Sequence, residues 1–157
     1  MRRPPLIALA GVAGITFVAL RLRRRRALLG LVREYFSAWE SGDPSRFERI
    51  VSADYKGHVN ALAGTEERDR DGLGSALAAH AETFTNSSFT IEDLVTDSNR
   101  VAARTRLRAT HGGDGHEVET SGLVILRIAD GRITEEWASW DYLGLANQLG
   151  VEVRVEA

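Results

Sequence analysis

The chain contains no cysteine. This excludes a disulfide framework, a thiolate nucleophile and any cysteine-ligated zinc or iron–sulfur centre, and it leaves the redox compartment open. Internal repeats are also missing, so the 157 residues have room for one compact domain and an appendage. An excess of one charge is lacking too. With 20 basic and 22 acidic residues the net charge is −2, which argues against nucleic acid as a partner. "DGLG" at 71–74 has neither the lysine nor the preceding strand of a phosphate-binding loop, and no serine sits in a nucleophile elbow. "HGGDGH" at 111–116 reads as a hairpin turn, since flexible glycines and a single carboxylate make a poor metal cage. No metal and no cofactor are expected.

Long apolar runs are scarce. The longest is "LIALAGVAGITFVAL" at 6–20, followed by "RLRRRR" at 21–26. As a helix those fifteen residues rise about 22 Å, short of the roughly 20 residues that span a bilayer. Arginines occupy the place where a signal peptide would carry its small-residue cleavage site. Residues 1–26 are therefore predicted to be an uncleaved N-terminal membrane anchor, against the plainer alternative of a solvated extension. The larger arginine count downstream puts the domain on the cytoplasmic side, and the cluster suits anionic lipid head groups.

From residue 27 the pattern is that of a folded domain, to about residue 150, with 151–157 as a tail. Leu28, Leu31, Val32, Tyr35, Phe36 and Trp39 recur at steps of three and four, the signature of an amphipathic helix that Gly42 ends. Asp43 and Pro44 start a second short helix carrying Phe47, Ile50 and Val51. An extended segment follows around "DYKGHVNA", and "GTEERDRDG" at 64–72 reads as a loop. A third helix over about 73–84 should bury Leu73, Leu77, His80 or Ala81, and Phe84. Four strands then alternate with the turn clusters "DSN", "HGGDG" and "ADG". In "RVAARTRLRAT", Val101, Ala103, Thr105, Leu107 and Ala109 share one face and Arg104, Arg106 and Arg108 the other. Helices first and an antiparallel meander after predict an α+β domain with the sheet curled over the helices.

"YFSAWESGD", "FTIEDLVTDSNRVAAR", "GLVILRIADGRITEEW" and "WDYLGLANQLG", in this order, resemble the SnoaL-like polyketide cyclase (ester cyclase) branch of the nuclear transport factor 2-like superfamily, over residues 28 to 150. The resemblance implies a cone-shaped fold whose sheet and helices enclose an apolar pocket. It also implies either a cofactor-independent cyclase or isomerase acting by acid–base chemistry, or a non-catalytic ligand-binding or homodimeric module.

On a strictly alternating strand Ile133, Glu135, Trp137, Ser139 and Asp141 share one face, and Thr134, Glu136, Ala138, Trp140 and Tyr142 the other. If the first face lines the pocket, Asp141 sits where poor hydration tunes a carboxylate for proton transfer. The resemblance implies that role for it, on a small apolar or polycyclic carbonyl compound. Trp137 would then pack on the ligand's rings, and Trp140 would be left for a dimer contact. The alternative for Asp141 is a cap or salt bridge at the strand end. Ile125 lies in "GLVILRI", which offers no polar relay, and Ala138 replaces an acidic residue common in the cyclases. Tyr35 matches the oxyanion-binding tyrosine of ketosteroid isomerase, a distant relative. Its base is not matched, since Val59 holds that place with His58 beside it. Tyr35, Trp39 and His80 are the helix-borne candidates for ligand contact, and His58 is a candidate proton acceptor.

Overall fold

The computed structural model describes residues 7–152, with side chains from residue 19 onward. Helix α1, Ile7–Ser41, continues without a break through the arginine cluster into the domain. Residues 19–27 are exposed; of the expected stripe Leu28, Val32, Tyr35 and Phe36 are buried, Leu31 and Trp39 are half-buried against the core, and Ala38 is buried beside them. Gly42 ends the helix in the left-handed region, at φ 66°. No helix among the described residues is long and apolar enough to cross a membrane. The span expected over 6–20 therefore finds no support, because Arg21 and its neighbours cut the apolar stretch short. The rest of the expected anchor, residues 1–6, lies outside the described residues, as does the tail after Glu152.

Short helix α2, Ser45–Ile50, has Pro44 rather than Asp43 at its N-cap, and the Asp43 Oδ1 one residue earlier accepts hydrogen bonds from the Ser45 N–H (3.0 Å) and Oγ (2.7 Å). Strand β1, Val51–Ala61, follows directly. The stretch predicted as a loop at 64–72 is instead strand β2, Gly64–Arg68, and the start of helix α3, Arg70–Thr83, which Asp69 caps by accepting from the Gly72 N–H at 2.8 Å. A polar, exposed edge strand has no apolar alternation to reveal it. The expected four-strand meander is present as β3, Phe84–Asp97; β4, Arg100–His111; β5, Glu117–Ala129; and β6, Arg132–Trp140. Helix α4, Tyr142–Gln148, closes the domain.

The six strands form one sheet in the order β2-β1-β6-β5-β4-β3, antiparallel except for the parallel β1–β6 pair. Register shifts interrupt the β1–β6, β3–β4 and β5–β6 pairings, and such bulges bend a sheet. The inner face of β4 is the predicted one, with Val101, Ala103, Thr105, Leu107 and Ala109 all buried. This face meets α1, α2 and α3 across a core that includes Val32, Phe36, Phe47, Leu73, Leu77 and Leu126.

Candidate functional site

Two features of the sheet build the site. The first is the shift in the β5–β6 register: Ile128 pairs with Ile133, but Arg127 pairs with Glu135. One extra residue in β6 reverses the parity of everything after it. Ile133 faces the core as expected, and then Glu136, Ala138 and Trp140 turn inward while Glu135, Trp137 and Ser139 turn outward. The second is a cross-strand row in which Arg68 of β2 pairs with Gly57 of β1, and Gly57 with Glu136 of β6. Gly57 has no side chain to stand between its neighbours. A Cβ there would lie 2.7 Å from Tyr55 Oη and 2.9 Å from Arg68 Cγ.

Glu136, only 2% exposed, is thereby surrounded by donors. Tyr35 Oη donates to its Oε1 at 2.6 Å. Tyr55 Oη and Arg68 Nη2 (3.3 Å) donate to its Oε2. A carboxylate has about four lone-pair positions, so these three bonds fill Oε2 and leave one position on Oε1. Burial, and then the Glu136 charge, push both tyrosines above the usual phenol range, so they stay protonated donors. Burial works against the Arg68 charge, but Glu136 together with Tyr35 and Tyr55 more than offsets it and the guanidinium remains a cation.

This cluster borders a cavity of about 120 Å³ between the sheet and the helices. Tyr35, Phe36 and Trp39 of α1, His80 of α3, Phe84 and Phe89 of β3, and Tyr142 and Leu145 of α4 line it together with Trp140 and Glu136. Arg68 lies over the Trp39 ring, 5.8 Å from its centroid. Trp140 reaches inward across Gly122, where a Cβ would fall 2.5 Å from the indole. His80 Nε2 is 2.9 Å from Ser87 Oγ, and burial lowers its pKa.

Of the residues singled out from sequence, Tyr35, Trp39 and His80 line the cavity. Asp141, His58, Ile125 and Trp137 do not. Asp141 is exposed and caps α4, accepting from the Gly144 N–H at 2.8 Å. His58 and Trp137 stack on the outer face of the sheet, ring centroids 5.5 Å apart, with His58 Nε2 3.1 Å from Glu135 Oε1. Arg127 and Arg100 lie over the same Trp137 ring. Ile125, 40% exposed, belongs to that outer face as well. The pocket carboxylate is thus Glu136 rather than Asp141, and Trp140 rather than Trp137 is the tryptophan of β6 that faces inward. Sequence reasoning missed Glu136, Arg68, Tyr55 and Tyr142. The spacing of Tyr55 and Gly57, two apart on one strand face, was the available signal for part of the cluster.

A family model described as SnoaL-like polyketide cyclase matches residues 30–149. Among solved structures, TsrD from Streptomyces laurentii is 26% identical, with 82% of this chain and 98% of that chain covered and a TM-score of 0.71. IdmH from Streptomyces antibioticus, provisionally assigned as a polyketide cyclase, is 27% identical over 78% of this chain and 97% of its own, with a TM-score of 0.70. AclR from Streptomyces galilaeus, provisionally called a hydroxylase, is 22% identical over 86% and 85% with a TM-score of 0.69, a likeness of fold alone. No curated protein matches the chain.

Proposed function

The chain belongs to the SnoaL-like polyketide cyclase family, and from that premise we propose that its cavity binds a small carbonyl compound and moves a proton on it, with Glu136 as the proton carrier. One observation carries this reading: a single carboxylate, fixed by Tyr35, Tyr55 and Arg68, borders an otherwise largely aromatic cavity. Glu136 Oε1 would take a proton from the carbon beside a carbonyl. The C–H electron pair becomes the enolate C=C bond and the carbonyl π pair moves to oxygen. The α carbon of the enolate then attacks a second carbonyl carbon, which is aldol closure, or, where the ligand carries a β,γ double bond, the dienolate takes the proton back at its γ carbon as the carbonyl re-forms, which is isomerisation. In the aldol closure the Glu136 acid protonates the new alkoxide. Negative charge passes from Glu136 to the ligand oxygen and back beside the fixed Arg68 cation, so the low-dielectric site never holds an unbalanced charge.

The test needs no natural substrate. Cyclic and aryl ketones of one to four rings are incubated with the full chain in D2O, and α-hydrogen exchange is followed by NMR. The expected outcome is exchange above the buffer rate for at least one ketone, reduced 100-fold or more in Glu136→Gln, in line with the roughly 10²–10⁴-fold that general acid–base catalysis contributes, and retained in Asp141→Asn. Buffer-level exchange with every ketone would sink the enzyme reading.

A second reading, a homodimeric or assembly module, draws on the outer sheet face. There Leu123 and Ile125 are 60% and 40% exposed, and Ile125 pairs across the strands with Trp137. Exposed aliphatic side chains next to an aromatic one are suited to contact with a second copy. Absence of α-exchange together with a dimer mass would favour this reading.

A further inference from the structure

The geometry points to a neutral carbonyl compound no larger than a single six-membered ring with a short substituent as the ligand of this cavity, its oxygen held by Arg68 and Tyr142. The inference rests on the small-molecule reading given above and narrows it. Size is the first constraint. The cavity measures about 120 Å³, whereas an apolar protein cavity of about 150 Å³ takes up one benzene. A fused three- or four-ring compound needs several times that space. The walls do not offer it cheaply: Tyr35 and Phe36 are buried in the core, and Trp140 is seated against Gly122.

Polarity is the second constraint. The strand register puts Arg68, Gly57 and Glu136 in one row, while Trp140 and Gly122 occupy the next but one and Thr120 and Leu107 a row further on. A ligand therefore meets charge at one end and apolar walls at the other. At the charged end the donors outnumber their acceptors. Arg68 has five N–H groups. Its bond to Glu136 is long, at 3.3 Å, and its Nε is buried with no partner among the described residues. The Tyr142 hydroxyl, which lines the same cavity, donates to no described residue either. A hydrocarbon would leave these donors desolvated and unpaired. Net charge is the third constraint. Arg68 and Glu136 already cancel, so an anionic ligand would bring an uncompensated charge against the Glu136 carboxylate. A neutral ketone or aldehyde oxygen meets all three.

The chain's three tryptophans provide the readout, since Trp39 and Trp140 line the cavity and Trp137 lies on the opposite face. Full-length protein labelled with 15N is titrated with acetophenone, its isosteric hydrocarbon α-methylstyrene, benzoate and the three-ring ketone fluorenone, and the indole N–H signals are followed. Acetophenone is expected to shift Trp39 and Trp140 and leave Trp137 unmoved. It should bind about tenfold tighter than α-methylstyrene, the scale of one hydrogen bond from a charged donor, and tighter than benzoate. Fluorenone should shift neither cavity indole. Tyr142→Phe should reduce the ketone-over-hydrocarbon preference, and Arg68→Lys, which keeps the charge beside Glu136, should reduce it further. Equal affinity for ketone and hydrocarbon, tighter binding of benzoate, or fluorenone binding as well as acetophenone would each overturn the inference and leave small-molecule binding standing. If no probe moves Trp39 or Trp140, the small-molecule reading falls and the inference with it.

Discussion

Gly57 stands between Arg68 and Glu136, and its missing side chain is what allows a guanidinium on one strand to reach a carboxylate two strands away. Gly57→Ala would push a methyl group into Tyr55 Oη and the Arg68 stem, so it is expected to cost about 1–3 kcal/mol, the usual penalty of overpacking. Gly30→Ala is the control: nothing lies within 4 Å of the added Cβ, and alanine suits a helix interior, so stability should hold or rise by up to about 1 kcal/mol. Urea denaturation of the two variants checks both. His80 gives a pH signature. Burial depresses its pKa in the folded chain, so below the ordinary histidine value of about 6.5 the unfolded chain binds more protons than the folded one. Stability therefore rises with pH through that window and is lost as the pH falls. Replacing His80 with Phe should flatten this part of the profile in thermal melts collected between pH 5 and pH 8. A slope unchanged by the substitution would assign it to other groups.

At the scale of elements, the long regular pieces were legible and the irregular ones were not. The 3.6-residue apolar spacing of α1 from Leu28, a short helix α2 after the Asp43–Pro44 pair and the alternation of β4 all appear in the structure. Strand β2 was hidden because its exposed edge residues carry no apolar alternation. In β6 strict alternation from Ile133 gave the wrong face, because the register shift after Ile133 is set by pairing with β5 and has no local sequence mark. That one-residue change moves Glu136 into the cavity lining in place of Asp141. The carboxylate of Asp141 instead holds the first turn of α4. Asp141→Ala is expected to lose about 1 kcal/mol of stability, whereas Asp141→Asn, an equally good cap, should lose little. Urea denaturation distinguishes them, and equal losses would mean that the cap is not the residue's main contribution.

For the whole molecule, the succession of three helices and a four-strand meander, though not β2 or α4, and the family were readable from motifs distributed over most of the chain. The contents of the cavity were not. Its polar centre joins residues 35, 55, 68 and 136, four positions brought together only by strand order β2-β1-β6 and by the packing of α1 on that sheet. Local pattern carries information about faces and turns but none about which distant polar groups will meet. The likeness in fold to structures provisionally called a cyclase and a hydroxylase leaves the chemistry to the side chains of the site. In this chain those are one buried carboxylate, its three donors and a wall of aromatic rings.

The most direct measurement of the role assigned to Glu136 is native mass spectrometry of the full chain, purified gently from its source with bound molecules retained, beside Glu136→Gln and Asp141→Asn. The expected result is a small molecule on the unaltered protein and on Asp141→Asn, and a chemically different, unconverted one on Glu136→Gln. The same molecule on all three, or an empty dimer in every sample, would contradict a proton-transfer role for Glu136, and the empty dimer would move the function to the outer face of the sheet.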